Sequence, residues 1–117
     1  MANTPEKAVK TRIAEILHSH GAYYVMPMTF GFGASGHPDF VGCIYGMAFG
    51  IEAKATAKQK PRTLQLKRLQ ELHDAGGLAM VVHSGTVEQL RLFLIDLKNK
   101  RSSIHADHIA RKERNSP

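Results

Sequence analysis

Residues 38–54 read PDFVGCIYGMAFGIEAK, and the way this stretch folds decides the rest of the chain. Pro38 to Tyr45 and Met47 to Ala55 are short apolar runs on either side of Gly46, the pattern of two strands joined at a glycine turn. Side chains alternate faces along a strand, so Glu52 and Lys54 share one face while Ile51 and Ala53 take the other. Between Asp39 and Glu52 lie 12 residues with Gly46 about midway, so a hairpin brings the two carboxylates together across the sheet.

Two carboxylates and an ammonium converging on one spot suit a hard cation, Mg²⁺ or Mn²⁺, whose remaining positions waters fill. Such an ion lowers the pKa of a bound water and polarises a phosphodiester. Lys54 can orient the attacking water or offset the developing negative charge. Taken alone, E-x-K occurs often by chance and reads first as an exposed strand with an i,i+2 ion pair. The context favours chemistry: P-D-F after a glycine-rich loop, and a basic loop directly after Lys54.

Outward from the hairpin, Thr4-Pro5 reads as an N-cap with proline at the first helical position. Val9, Ile13, Ile16 and Leu17 recur at helical spacing until His20-Gly21. Ala22 to Phe30 reads as a strand and Gly31 to Gly36 as a loop. Thr56 to Arg62 is a polar, basic loop, Thr63 to Ala75 a helix stopped by Gly76-Gly77, and Leu78 to His83 a strand. Thr86 to Lys98 is an amphipathic helix capped by Thr86. The order α-β-β-β-α-β-α implies an α/β sandwich with a central sheet flanked by helices. Residues 1–98 form the expected domain. Residues 99–117 form a basic, partly ordered tail, with Lys100, Arg101, Arg111, Lys112 and Arg114 following Lys98.

A formal net charge of +6 and a pI near 9.7 favour a polyanionic partner, nucleic acid before an anionic membrane surface. No stretch approaches the roughly 20 apolar residues of a membrane helix, and the first residues lack the apolar run of a signal peptide. The expectation is a soluble, intracellular, cytoplasmic protein. The single cysteine, Cys43, cannot form an internal disulfide and reads as a small buried residue in a reducing compartment.

The pattern G-H-P-D-F, then I-E-A-K-A, then Gln65 on the following helix resembles the PD-(D/E)xK nuclease superfamily. More closely it is similar to the VRR-NUC (virus-type replication-repair nuclease) group, found alone in phages and as a domain of larger repair nucleases. The likeness runs from about Glu6 to His83. It implies a restriction-endonuclease-like α-β-β-β-α-β core with a mixed sheet. It also implies a metal held by Asp39, Glu52 and the backbone carbonyl of Ala53, with Lys54 as the catalytic lysine. The family's first-helix glutamate corresponds to Glu6, which shares a helical side with Val9, Ile13 and Leu17, whereas Glu15 falls on the opposite face. For Glu6 the alternative is a first-turn acid at the helix dipole. Gln65, on the same helical side as Leu69 and Leu72, either holds Lys54, a water or a phosphate, or serves as a satisfied core or capping amide.

Gly31-Phe32-Gly33-Ala34-Ser35-Gly36 matches G-x-G-x-x-G but leads into His37-Pro38-Asp39 and a strand, whereas a dinucleotide site must open a helix. His105, Asp107 and His108 lack the partners of a zinc site. Lys58, Lys60 and Arg62 are candidates for phosphate contact, or else ordinary loop cations. His37 is a weaker candidate of the same kind. The functional expectation is a Mg²⁺- or Mn²⁺-dependent DNA endonuclease acting as a homodimer on branched DNA, four-way (Holliday) junctions first and flaps second. The alternatives are a non-catalytic DNA-binding module of the same fold and a nuclease acting on RNA.

Overall fold

The computed structural model describes residues 4–28 and 35–114, with side chains described as far as Arg101. Among these, α1 spans Pro5–Ser19, β1 Tyr23–Val25, β2 Phe40–Ile44, β3 Met47–Ala53, α2 Thr63–Asp74, β4 Leu78–Val82 and α3 Val87–Arg114. The four strands lie in the order β1-β2-β3-β4. The first two pairings are antiparallel and β3-β4 is parallel, so the sheet is mixed. No helix among the described residues is long and apolar enough to cross a membrane.

The hairpin closes on a two-residue turn, Tyr45-Gly46, between the partners Ile44 and Met47. Both turn residues have positive φ, 50° and 82°, the twist that suits a tight hairpin and that costs a tyrosine more than a glycine. Tyr45 is anchored from outside: its hydroxyl lies 2.6 Å from His20 Nδ1, with the two rings edge to face.

Alternation along the hairpin sorts the sheet into two faces. Phe40, Phe49, Ile51 and Ala53 point to the face covered by α1 and α3, where they form the core with Val9, Ile13, Leu17, Val87, Leu90 and Leu94. α2 covers the other face over β3 and β4. There Gly50 admits Leu72: a β-carbon at Gly50 would stand 2.7 Å from Leu72 Cδ2 and 3.0 Å from Pro38 Cγ. Thr4 caps α1 as expected, its hydroxyl accepting from the Lys7 amide at 3.2 Å.

Several expectations are corrected. The strand read over Ala22 to Phe30 is β1, Tyr23–Val25, and residues 26–28 lie outside any strand. Pro27, without an N–H, cannot extend a ladder. The rest of that stretch and residues 31–34 of the glycine loop lie outside the described residues. β2 starts at Phe40, after Pro38, and β3 ends at Ala53. Cys43 is exposed, not buried. It pairs with the exposed Tyr23 on the part of the sheet that α2 does not reach. Thr86 stands at the head of α3, its carbonyl accepting from Leu90, but its hydroxyl accepts from the His83 amide instead of capping the helix. α3 continues past Lys98 to Arg114, because residues 99–114 contain neither proline nor glycine. The side chains of His105, Asp107, His108, Arg111, Lys112 and Arg114 lie outside the described set.

Candidate active site

The β2-β3 register pairs Phe40 with Ile51, and one step further along the same ladder sets Asp39 opposite Glu52. The Ala53 amide fixes Asp39, donating to Oδ2 at 2.8 Å. This end of the hairpin is where the two helical layers meet, α1 on one face and α2 on the other.

Glu52 is only 2% exposed, and its Oε2 has no hydrogen-bond partner among the described residues. Its pKa is pushed up to about 8, first by burial and then by the adjoining Asp39 carboxylate, whose hydrogen-bonding and charge both favour the protonated form. The Glu6 charge pushes the same way and the Lys54 ammonium opposes it. A buried carboxyl held against a second carboxylate is a site short of positive charge.

Lys54 continues the parallel pairing, its amide donating to the Val82 carbonyl at 2.9 Å. Its Nζ donates to Gln65 Oε1 at 3.2 Å. The same amide oxygen accepts from the Arg62 backbone N–H at 2.8 Å. Both readings of Gln65 hold together: it caps the first turn of α2 and tethers the lysine. At 8% exposure it is buried, as its helical side required.

Glu6 is half-buried and Glu15 exposed. Between Glu6 and Asp39 stands a residue that the sequence reading passed over. Lys10 Nζ lies 3.4 Å from Asp39 Oδ1 and 4.0 Å from Glu6 Oε2. The i,i+4 spacing of Glu6 and Lys10 was a visible signal for half of this contact. Gln59 was also missed: its Oε1 accepts from the Ala55 amide at 2.8 Å and folds the basic loop back on itself. A polar loop residue carries no such signal. On that loop Lys58, Lys60 and Arg62 are exposed. His37 is exposed and lines a depression with Pro38, Val41, Arg68 and Leu72, making no hydrogen bond among the described residues.

Whether these residues suit a divalent cation is answered by Glu52. Its unpartnered buried oxygen and its contact with Asp39 are relieved by a cation as well as by a proton. Among the described residues no group of three or more His, Cys, Asp or Glu side chains gathers as a metal site. The donor set is therefore two close carboxylates with Glu6 farther off, which suits an ion that keeps much of its water, as Mg²⁺ does. The residues fit.

A mixed sheet between helical layers, with its acidic pair at the open end of a hairpin, places the protein in the restriction-endonuclease-like class of α/β folds. A solved VRR-NUC domain structure matches it with a TM-score of 0.65 and 26% identity, over 74% of this chain and 94% of that one. The resemblance carried by G-H-P-D-F and I-E-A-K-A stands: this is a nuclease-family fold of the VRR-NUC type. No family model matches the sequence, and a comparison with curated proteins finds no match.

Proposed function

We propose that this protein is a divalent-metal-dependent endonuclease of DNA, with Asp39, Glu52, Lys54, Gln65 and Glu6 as its working set. The observation that carries the reading is the Asp39–Glu52 contact, with one Glu52 oxygen buried and unpartnered beside the lysine that Gln65 holds.

Asp39, Glu52 and the Ala53 carbonyl hold the Mg²⁺ or Mn²⁺ ion in this reading, with Glu6 at its edge. When bound, the ion supplies Lewis-acid charge to a scissile phosphate and makes water a stronger nucleophile. The Ala53 amide keeps Asp39 turned into the site. Lys54, tethered at 3.2 Å to an amide oxygen and not to a carboxylate, is held where it can meet the charge that develops on the phosphate. Lys58, Lys60 and Arg62 serve as phosphate contacts in this reading, and His37 is a weaker candidate of the same kind.

The preferred substrate in this reading is branched DNA, four-way junctions before flaps, cut by a homodimer whose two-fold axis matches the junction. Leu92, Phe93 and Ile95 of α3, which are 53%, 41% and 37% exposed, offer apolar surface for a second copy. Light scattering at micromolar concentration tests the dimer, and a monomer counts against it.

The deciding experiment is a cleavage panel of linear, flapped and four-way DNAs, with a matched RNA duplex, in Mg²⁺ and in Mn²⁺. Metal-dependent cutting of DNA that disappears in Asp39→Asn and Lys54→Met is the expected result. Salt-sensitive binding without cleavage would instead make the protein a DNA-binding module. Preferential cutting of the RNA duplex would move the substrate class.

A further inference from the structure

We infer that Lys10 is a built-in counter-cation of the acidic site, competing with the divalent ion for Asp39 and so setting how tightly that ion is held. The inference rests on the metal reading above and concerns a residue that reading does not use.

Asp39 has two oxygens with different employment. Oδ2 already accepts the Ala53 amide, while Oδ1 accepts no backbone N–H among the described residues and is the more open of the two to a cation. Oδ1 is the atom that Lys10 Nζ approaches, at 3.4 Å, while it stays within 4.0 Å of Glu6. The lysine side chain is drawn to the acids and is only 31% exposed, although it sits on a surface helix with solvent within reach. Its single charge does not complete the site, since Glu52 Oε2 is still without a partner among the described residues.

A divalent ion on Oδ1 would stand within a few ångströms of an unmoved ammonium, and like charges that close repel strongly in a half-buried setting. Lys10 must therefore give way as the ion enters. Its flexible four-carbon stem, rooted on α1, allows that without moving the backbone. Lys54 is placed differently: Gln65 holds it by a neutral oxygen, so its position does not depend on whether the ion is present. The two lysines divide the work, one balancing the site without metal and one serving it with metal.

The test is Mn²⁺ binding to the full chain without DNA, followed by the paramagnetic signal of free Mn²⁺ at neutral pH. Lys10→Met should bind Mn²⁺ about tenfold more tightly than the parent, and Lys10→Arg should stay within about twofold of it. Metal-free Lys10→Met should also melt below the parent and gain more thermal stability when Mn²⁺ is added. A purely structural lysine would not tighten metal binding when removed. Unchanged or weaker binding in Lys10→Met, with parental binding still abolished by Asp39→Asn, overturns the role of Lys10 and leaves the metal centre standing. Saturable binding absent from every protein, or indifferent to Asp39→Asn, overturns the metal centre and this inference with it.

Discussion

Gln65 holds Lys54 by an oxygen that is already committed to the start of its own helix. Oε1 lies 3.2 Å from Lys54 Nζ and 2.8 Å from the Arg62 amide, so the lysine's placement is tied to the folding of α2. The helix cap and the tether of Lys54 are one atom.

Gln65→Ala should therefore show two losses at once. Freeing the Arg62 amide and opening a small void costs roughly 1–2 kcal/mol of stability, read by urea denaturation. Releasing Lys54 should lower the cleavage rate about 10–100-fold with little change in DNA binding. Gln65→Glu keeps the acceptor and should recover most of the stability. Full activity in Gln65→Ala would show that Lys54 needs no tether.

Glu52 makes the metal-free protein sensitive to pH in a stated direction. Its folded pKa, about 8, is raised above its ordinary value of 4.5 by burial and by Asp39, so the folded state holds the proton more tightly. The stability from this proton is complete below 4.5 and is lost as pH rises through about 8. The fall is on the order of a few kcal/mol for so buried a group. Glu52→Gln should flatten that part of the pH–stability curve and be the more stable protein at alkaline pH, while losing metal-dependent cleavage. Denaturant midpoints measured across the range, with chelator present, check this.

The same proton must leave when a cation binds. Mn²⁺ titration at neutral pH should release about one proton per site, measured by calorimetry in buffers of different ionisation enthalpy. Glu52→Gln should release close to none. Equal proton release in both proteins would place the proton elsewhere.

Gly50 lies where strand and helix touch. A β-carbon there meets Leu72 Cδ2 at 2.7 Å and Pro38 Cγ at 3.0 Å, the latter in the residue just before Asp39. Gly50→Ala should cost about 1–3 kcal/mol by overpacking. Cleavage should fall as well, because the displaced Pro38 carries Asp39 with it. Gly50→Ala combined with Leu72→Ala should recover part of both.

The basic loop contributes affinity and not chemistry in this reading. Replacing Lys58, Lys60 and Arg62 by alanine should reduce the slope of log K against log salt by up to about 2.5 on duplex DNA. Cleavage at saturating DNA should change little. An unchanged salt slope would return the loop to ordinary solvated charge.

Much of this arrangement was legible along the chain. Strand alternation and the turn at Gly46 place Asp39 opposite Glu52 from the sequence alone, because side-chain direction and hairpin register are local properties that depend only on counting. The same holds for the Thr4-Pro5 cap, for the inward side of α1 and for Gln65 on the buried side of α2. Pro27 and the unbroken run after Lys98 were legible too, and account for the shorter β1 and the longer α3. Cys43 misled because alternation tells which face a residue occupies, not whether a helix covers that face.

What the sequence determined by itself is the pair of strands, their register and the facing of Asp39, Glu52 and Lys54. Only the tertiary structure decided what those groups meet: Lys10 and Glu6 arriving on α1, Gln65 on α2, and the burial that leaves one Glu52 oxygen unpartnered. The reason is physical. Facing alternates residue by residue and register follows from the hairpin turn, whereas the charge balance at the site is set by how two helical layers settle on opposite faces of one sheet.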